Sequence, residues 1–287
     1  MMKQEKTKSL WADAFSRLLS DKVAMTSLII VCLFSLVALL TSVGWLAADW
    51  AQEVGGSYTP PNSQFWFGTD IFGRNVWKKL IQGTEVAMSV GLVSSIIAVP
   101  IGVILGAVAG YYGGIIDEII VWFYTTFSSI PWIMLTISLT FILGKGITSV
   151  YIALGLTSWV SLCRLIRGEV MKHKEREYVQ AATAIGGGNF RKLFIHILPN
   201  VNHIIIINTS LQFQTAIKTE VILSFLGLGV QGRPSWGTMI DDAKLELARG
   251  VWWQLWWATI AMFIIVLAFN FLGDALRDAL DPKLKGK

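Results

Sequence analysis

Runs of near-continuous apolar residues, each about 20 long, constrain this chain more than any other feature. An α-helix rises about 1.5 Å per residue, so such a run crosses the roughly 30 Å hydrocarbon core of a bilayer. Backbone polar groups find no water there, and a helix satisfies them within the segment itself. Closed barrels need strands that alternate apolar and polar residues, and the runs here do not alternate. Composition agrees: of 287 residues 54% are hydrophobic and 15% charged, with a mean hydropathy of +0.57. The predicted fold class is all-α: a polytopic membrane protein with six transmembrane helices, at 23–46, 86–110, 116–143, 147–166, 203–226 and 251–273.

Charge sets the expected orientation. Lys and Arg concentrate on cytoplasmic loops of membrane proteins. With both termini cytoplasmic, the inner pieces carry 16 of these residues and the outer pieces seven, Lys218 lying within a span. The net charge of +5 therefore reflects topology, and no basic domain stands apart that would bind nucleic acid. Lys3, Lys6, Lys8, Arg17 and Lys22 precede an apolar run longer than the core of a signal peptide, so the first span is expected to stay. Residues 65–81 mix Phe, Trp and Ile with Asp70, Arg74, Lys78 and Lys79, which reads as an amphipathic helix lying in the outer interface. The division expected is 1–85, tail, first helix and outer segment, and 86–287, a core of five spans with a cytoplasmic loop at 167–200.

That loop is too structured to be a connector. Good helix formers run from Glu175 to about Ile185, and Gly186, Gly187 and Gly188 stop the helix. Asn189 is placed to cap a second short helix through Ile197, which Pro199 ends. Ala181, Ala182 and Ala184 keep the first helix thin enough for a groove in a partner.

Several residues within the spans carry possible chemistry. Gly102, Gly106 and Gly110 form a smooth strip for close helix packing. Pro131, after Ser128 and Ser129, predicts a kink in the third span. Asn208, Gln212, Thr215 and Thr219 share a narrow arc of the fifth span, fit either for interhelical hydrogen bonds or for a watery pathway. Lys218 and Glu220 lie about 200° apart on that helix, so each needs another partner or water. Trp252, Trp253, Trp256 and Trp257 read as an aromatic belt, with a stacking surface for substrate as the other reading. Cys32 and Cys163 fall in apolar stretches, and the three histidines do not cluster, so neither a disulfide nor a metal site is expected. No phosphate-binding G-x-x-x-x-G-K-[ST] occurs, and no nucleophile–base pair is evident. The chain reads as a membrane subunit driven by something else, without ATP hydrolysis or a cofactor of its own.

The loop resembles the "EAA" loop of ABC importer permeases through Ala181, Ala182, Gly186, Leu198 and Pro199. Gln180 replaces its Glu and His196 an expected Ile. The flanks Glu177, Tyr178 and Val179, with His196 to Asn200, resemble the peptide and nickel branch. So do the runs at 67–74 (Gly68, Asp70, Gly73, Arg74), 224–229 (Ser224, Gly227, Gly229), 234–237 (Pro234, Trp236, Gly237) and 270–282 (Asn270, Gly273, Asp274, Arg277, Asp278, Asp281, Pro282). As a set they are similar to the C-type permease of dipeptide and oligopeptide importers. The Trp cluster, where a proline is usual, and Lys218, where a small or apolar residue is usual, depart from that pattern. The resemblance implies a type I ABC importer permease in the bacterial inner membrane. Its implied partners are a homologous second permease, two ATPase subunits that bind MgATP, and a periplasmic or lipid-anchored solute-binding protein. It further implies that a helix at 177–190 couples to an ATPase through Glu177, Tyr178, Gln180, Ala181, Ala182, Gly186, Arg191, Leu198 and Pro199. Asn208, Gln212, Thr215, Lys218, Thr219 and Glu220 are the candidate pathway residues. Two other classes share parts of this pattern. An ion-coupled secondary transporter or channel would rest on Lys218, Glu220 and the polar stripe alone, and a non-transporting scaffold on the loop alone.

Overall fold

The computed structural model describes residues 18–280. The basic residues Lys3, Lys6, Lys8 and Arg17, and Asp281 and Pro282 of the last family-like run, lie outside them. Ten helices follow in order: α1 Lys22–Ser42, α2 Val76–Tyr112, α3 Gly114–Ser128, α4 Trp132–Leu143, α5 Ile147–Thr157, α6 Val160–Lys174, α7 Glu177–Ala184, α8 Asn189–Phe225, α9 Trp236–Leu247 and α10 Trp253–Leu280. Among the described residues there are only isolated β-bridges, Glu53 with Arg74 and Thr69 with Asn75. Among the described residues, five stretches are long and apolar enough to cross a membrane by themselves: α1, α2, α5 with α6, α8 and α10. The pair α3 and α4 passes as a sixth, bent by 84°. Pro131 sits at that bend as the residue preceding α4. A proline disfavours helical backbone in the residue before it, so the helix breaks there.

The expected interfacial helix at 65–81 does not form. Residues 65–75 instead wind around the Asp70 carboxylate, whose Oδ1 accepts the backbone N–H of Phe72 and of Arg74, both at 2.9 Å. Asn75 then caps α2, accepting from the Trp77 N–H at 3.0 Å. The second span therefore starts at Val76, ten residues before its expected limit. Lys79, assigned to the aqueous face by its charge, is buried: its Nζ donates to Asp70 Oδ2 at 3.0 Å and to Gln254 Oε1 at 2.7 Å, with Asp242 Oδ2 at 3.6 Å. The Gln254 amide in turn donates to Glu246 Oε2 at 3.2 Å. One ammonium thus ties the 65–75 loop, α2, α9 and α10 together; Lys79, Asp70 and Gln254 are buried and satisfied there, while Asp242 reaches water. The Trp cluster divides in the same region. Trp253 is buried and donates its Nε1 to the Thr69 carbonyl at 3.0 Å, and Trp257 stacks on Phe67 with centroids 4.0 Å apart, while Trp252 and Trp256 remain exposed. Only half of the expected belt faces outward. The helix α9, which the sequence reading passed over, starts at a capping box between Ser235 and Thr238.

At the other end of the bundle the glycine strip sets the packing. A Cβ at Gly102 would lie 2.8 Å from the Trp159 carbonyl oxygen, one at Gly110 2.5 Å from that of Arg167, and one at Gly106 would strike the Cys163 carbonyl. Both series advance by four, so α2 and α6 run parallel and in step with backbones in contact. Arg167 then forks onto Asp117 of α3, Nε to Oδ1 at 2.5 Å and Nη2 to Oδ2 at 2.6 Å. The fourth span, expected at 147–166, is broken at Ser158 and Trp159 and continues to Lys174. The fifth begins far earlier than expected, at Asn189, because the chain passes from Arg191 through a π-turn at Lys192–Ile197 into the long helix. Pro199 does not end a helix here. It lies immediately after the widened turn, which accommodates the missing N–H and the ring that would press on a regular α-turn.

Two outcomes follow. Replacing Gly106 with Val should lower the melting temperature of the detergent-solubilised protein, because overpacking a backbone contact costs about 1–3 kcal/mol. Gly168→Ala on the same helix pair, where a Cβ meets nothing within 4 Å, should not lower it. Second, burial pushes the Glu246 carboxyl up from its ordinary value of 4.5 to about 7, against the pull of Lys79. The folded chain holds that proton where the unfolded chain has lost it. The stabilisation is therefore complete below pH 4.5 and lost as pH rises through about 7. Glu246→Gln should flatten the decline in melting temperature between about pH 5 and pH 8; an unchanged slope would remove Glu246 as its source.

Candidate functional site

Two features stand out: the short helix α7 with its glycine turn, at the end of the bundle formed by Tyr111 and Lys174, and, further into the bundle, a cavity between helix breaks. Helix α7 begins with Glu177, whose charge suits the helix N-terminus. Val179 and Ala182, three residues apart, turn one face inward, and Val179 packs in a cluster with Ala107, Tyr111, Ile166, Val170, Leu193 and Ile197. The helix stops in a paired-bond turn. The Gly186 N–H donates to the Thr183 carbonyl at 3.0 Å and the Gly187 N–H to the Ala182 carbonyl at 2.9 Å, with Gly186 at φ +80°. That left-handed backbone favours glycine.

The coupling residues named from the sequence divide between the two faces. Glu177, Tyr178, Gln180, Ala181 and Gly186 are exposed, as are Arg191 and Pro199. Ala182 is turned into the bundle, which corrects its expected place on a docking face, and Leu198 packs against the same cluster. Tyr178 hydroxyl and His173 Nδ1 stand 2.8 Å apart, and Gln180 Nε2 donates to the Glu175 carbonyl at 3.2 Å, so α7 is fastened back to the end of α6. Burial pushes the Tyr178 phenol above its ordinary value. Asn189 does not cap the next helix. Gly188 holds that position without a side-chain bond, and Asn189 Oδ1 accepts the Tyr111 hydroxyl at 3.0 Å, joining the turn to α2. Sequence reasoning missed Ile185 and Phe190. They flank the glycine turn, 86% and 70% exposed. Two large apolar side chains set on either side of a glycine triplet in a loop were the available signal.

The cavity, about 610 Å³, lies where two spans break. Its wall takes Ser128, Pro131 and Trp132 from the bend between α3 and α4, Thr157 and Ser158 from the break between α5 and α6, and Arg164 from α6. Asn208, Gln212 and Thr215 of α8 complete it. Gln212 Nε2 donates to Ser158 Oγ at 3.3 Å and Arg164 Nη2 to Ser128 Oγ at 3.0 Å. Interrupted helices free backbone groups, which are tolerated at membrane depth where they line a watery space or are covered by protein. The stripe read from the sequence therefore splits. Its first three members face the cavity; Thr219 and Glu220 are buried in the protein, Glu220 accepting the Ser224 hydroxyl at 2.6 Å. Lys218 is exposed.

A family model described as "Binding-protein-dependent transport system inner membrane component" matches residues 102–286, and one described as "N-terminal TM domain of oligopeptide transport permease C" matches residues 9–61. The dipeptide transport system permease protein DppC of Bacillus subtilis (strain 168) is 37% identical over 95% of this chain and 86% of its own length. The oligopeptide transport system permease protein OppC of the same organism is 36% identical over 98% of this chain and 92% of its own. The glutathione transport system permease protein GsiD of Pectobacterium atrosepticum is 33% identical over 99% and 95%. The chain belongs to the family of inner-membrane components of binding-protein-dependent transport systems and is a multi-pass permease subunit.

Proposed function

We propose that this permease serves an ATP-driven importer of short peptides. It forms half of the pathway beside a homologous second permease and receives motion from two ATPase subunits that bind MgATP. A solute-binding protein delivers the substrate on the outer side. In this reading both termini and the 177–190 segment are cytoplasmic, and the cavity at Asn208, Gln212 and Thr215 belongs to the pathway. Relatives named for dipeptides, oligopeptides and glutathione share the chemistry of small peptides, which supports that substrate class.

The observation that carries the reading is the pairing of Ile185 and Phe190, both strongly exposed, with a helix whose opposite face is locked to the bundle. Exposed apolar groups backed by a rigid element are what a docking partner grips, and a push on them moves the element as one body. An ion-coupled carrier finds less support. Glu220, which it would use, is buried and held by Ser224, facing away from Lys218.

Glu in place of Ile185 or of Phe190 tests the coupling. Both sites are exposed, so the fold should be spared. Losing a central apolar contact at an interface should cut peptide uptake by about tenfold or more while the chain still inserts. Undiminished uptake in both variants would remove the segment from the coupling path.

A further inference from the structure

The charges around the cavity are one-sided. Among the described residues, Arg164 is the single charged one on its wall. It is exposed and donates to Ser128, and its guanidinium lies 4.9 Å from the centre of the Tyr124 ring; no described carboxylate pairs with it. Lys218 follows Thr215 by three residues on α8 and therefore stands on the same side, about 4.5 Å further along the axis. It too has no carboxylate partner among the described residues and is exposed within a spanning helix. Because α6 runs toward Lys174 and α8 away from Leu198, Arg164 lies toward the α7 end of the cavity and Lys218 toward the Lys79 end. The two cations bracket the opening.

The carboxylates nearby are occupied. Asp117 is forked onto Arg167, Glu169 pairs with Lys172 at 2.7 Å, and Glu220 is buried under Ser224. Glu118 of α3 is exposed and does not line the cavity. An unpaired cation in a spanning segment is costly unless something pairs with it during function. Between the two cations the wall offers Ser158, Asn208, Gln212 and Thr215, neutral groups that hydrogen-bond without adding charge.

We propose that Arg164 and Lys218 are specificity-determining residues that hold the free carboxylate of the transported molecule in turn as it crosses. The chemical class taken is a short peptide with a free C-terminal carboxylate; molecules that carry only positive charge, bare divalent cations included, are repelled. This rests on the cavity being the pathway. It adds a selection made in the membrane to any made by a solute-binding protein. A planar guanidinium at one station and a point ammonium at the other suit capture followed by release.

The test uses the assembled transporter in vesicles with ATP, and solute-binding protein loaded to saturation with either trialanine or its C-terminal amide. The readout is the acid-to-amide ratio of initial uptake rates, which cancels differences in expression and assembly. The ratio should fall about tenfold in Arg164→Gln and in Lys218→Gln, as expected for a lost charge-assisted contact. It should stay within about threefold of the parent in Arg164→Lys and Lys218→Arg, which keep the charge. A ratio unchanged in both Gln variants overturns the proposal. So does a Lys218→Gln chain that loses both activities equally together with the second permease on purification, since Lys218 then pairs with that subunit. A parent transporter that takes up neither peptide overturns the transport reading itself, and this inference with it.

Discussion

The contact between α2 and α6 is the constraint on which the rest of the molecule depends. Three glycines at intervals of four let the α6 backbone lie against α2 at Trp159, Cys163 and Arg167. In a membrane, packing of this kind replaces the hydrophobic drive that bundles helices in water. Because the two helices are parallel and in step, Val170 near the end of α6 and Tyr111 near the end of α2 arrive at the same level. There they build the cluster into which Val179, Leu193 and Ile197 insert. The 177–197 segment thus has a fixed seat, and the Tyr111 hydroxyl on Asn189 closes it. A bulky residue in the glycine strip would shift that seat, so the strip sets the geometry of a segment it does not touch.

The same contact leaves the cavity beside it. Trp159, at the break between α5 and α6, is buried against α2 and stacks with Phe123 of α3 at 5.8 Å. Its neighbour Ser158 faces the opening and meets Gln212. Breaks in two spans and a polar stripe on a third therefore converge because one helix is held tightly and its partners are not continuous. At the other end Lys79 performs the corresponding fastening with Asp70 and Gln254, so the bundle is pinned at both ends around a looser middle. In the proposed importer, such a distribution of rigidity suits a change of access between the two sides.

Much of this was legible in the sequence. Apolar run length gave α1 to within four residues and the start of α10 to within two, although α10 runs seven residues past its expected end, and the spacing of Gly102, Gly106 and Gly110 announced the close contact. Pro131 marked a real break, and the arc of Asn208, Gln212 and Thr215 does face a cavity. The failures share a cause: local pattern cannot report a partner distant in the chain. Lys79 looked like a surface charge because its acceptor Gln254 lies 175 residues away. Asn189 looked like a cap because Tyr111 was not in view. Pro199 looked like a stop because only the fold reveals the π-turn that admits it. Periodicity placed Thr219 on the arc but not the protein that covers it.

The central claim is that the 177–190 segment is a rigid lever gripped by an ATP-hydrolysing subunit. The most direct measurement places a photo-crosslinking amino acid at position 185 or 190 and illuminates the intact complex in native membranes. The account predicts that both positions capture an ATPase subunit, and that an exposed position at the Lys79 end, such as Trp66, does not. Capture of lipid or of an outer-side protein from 185 and 190, with no ATPase product at either, would contradict it.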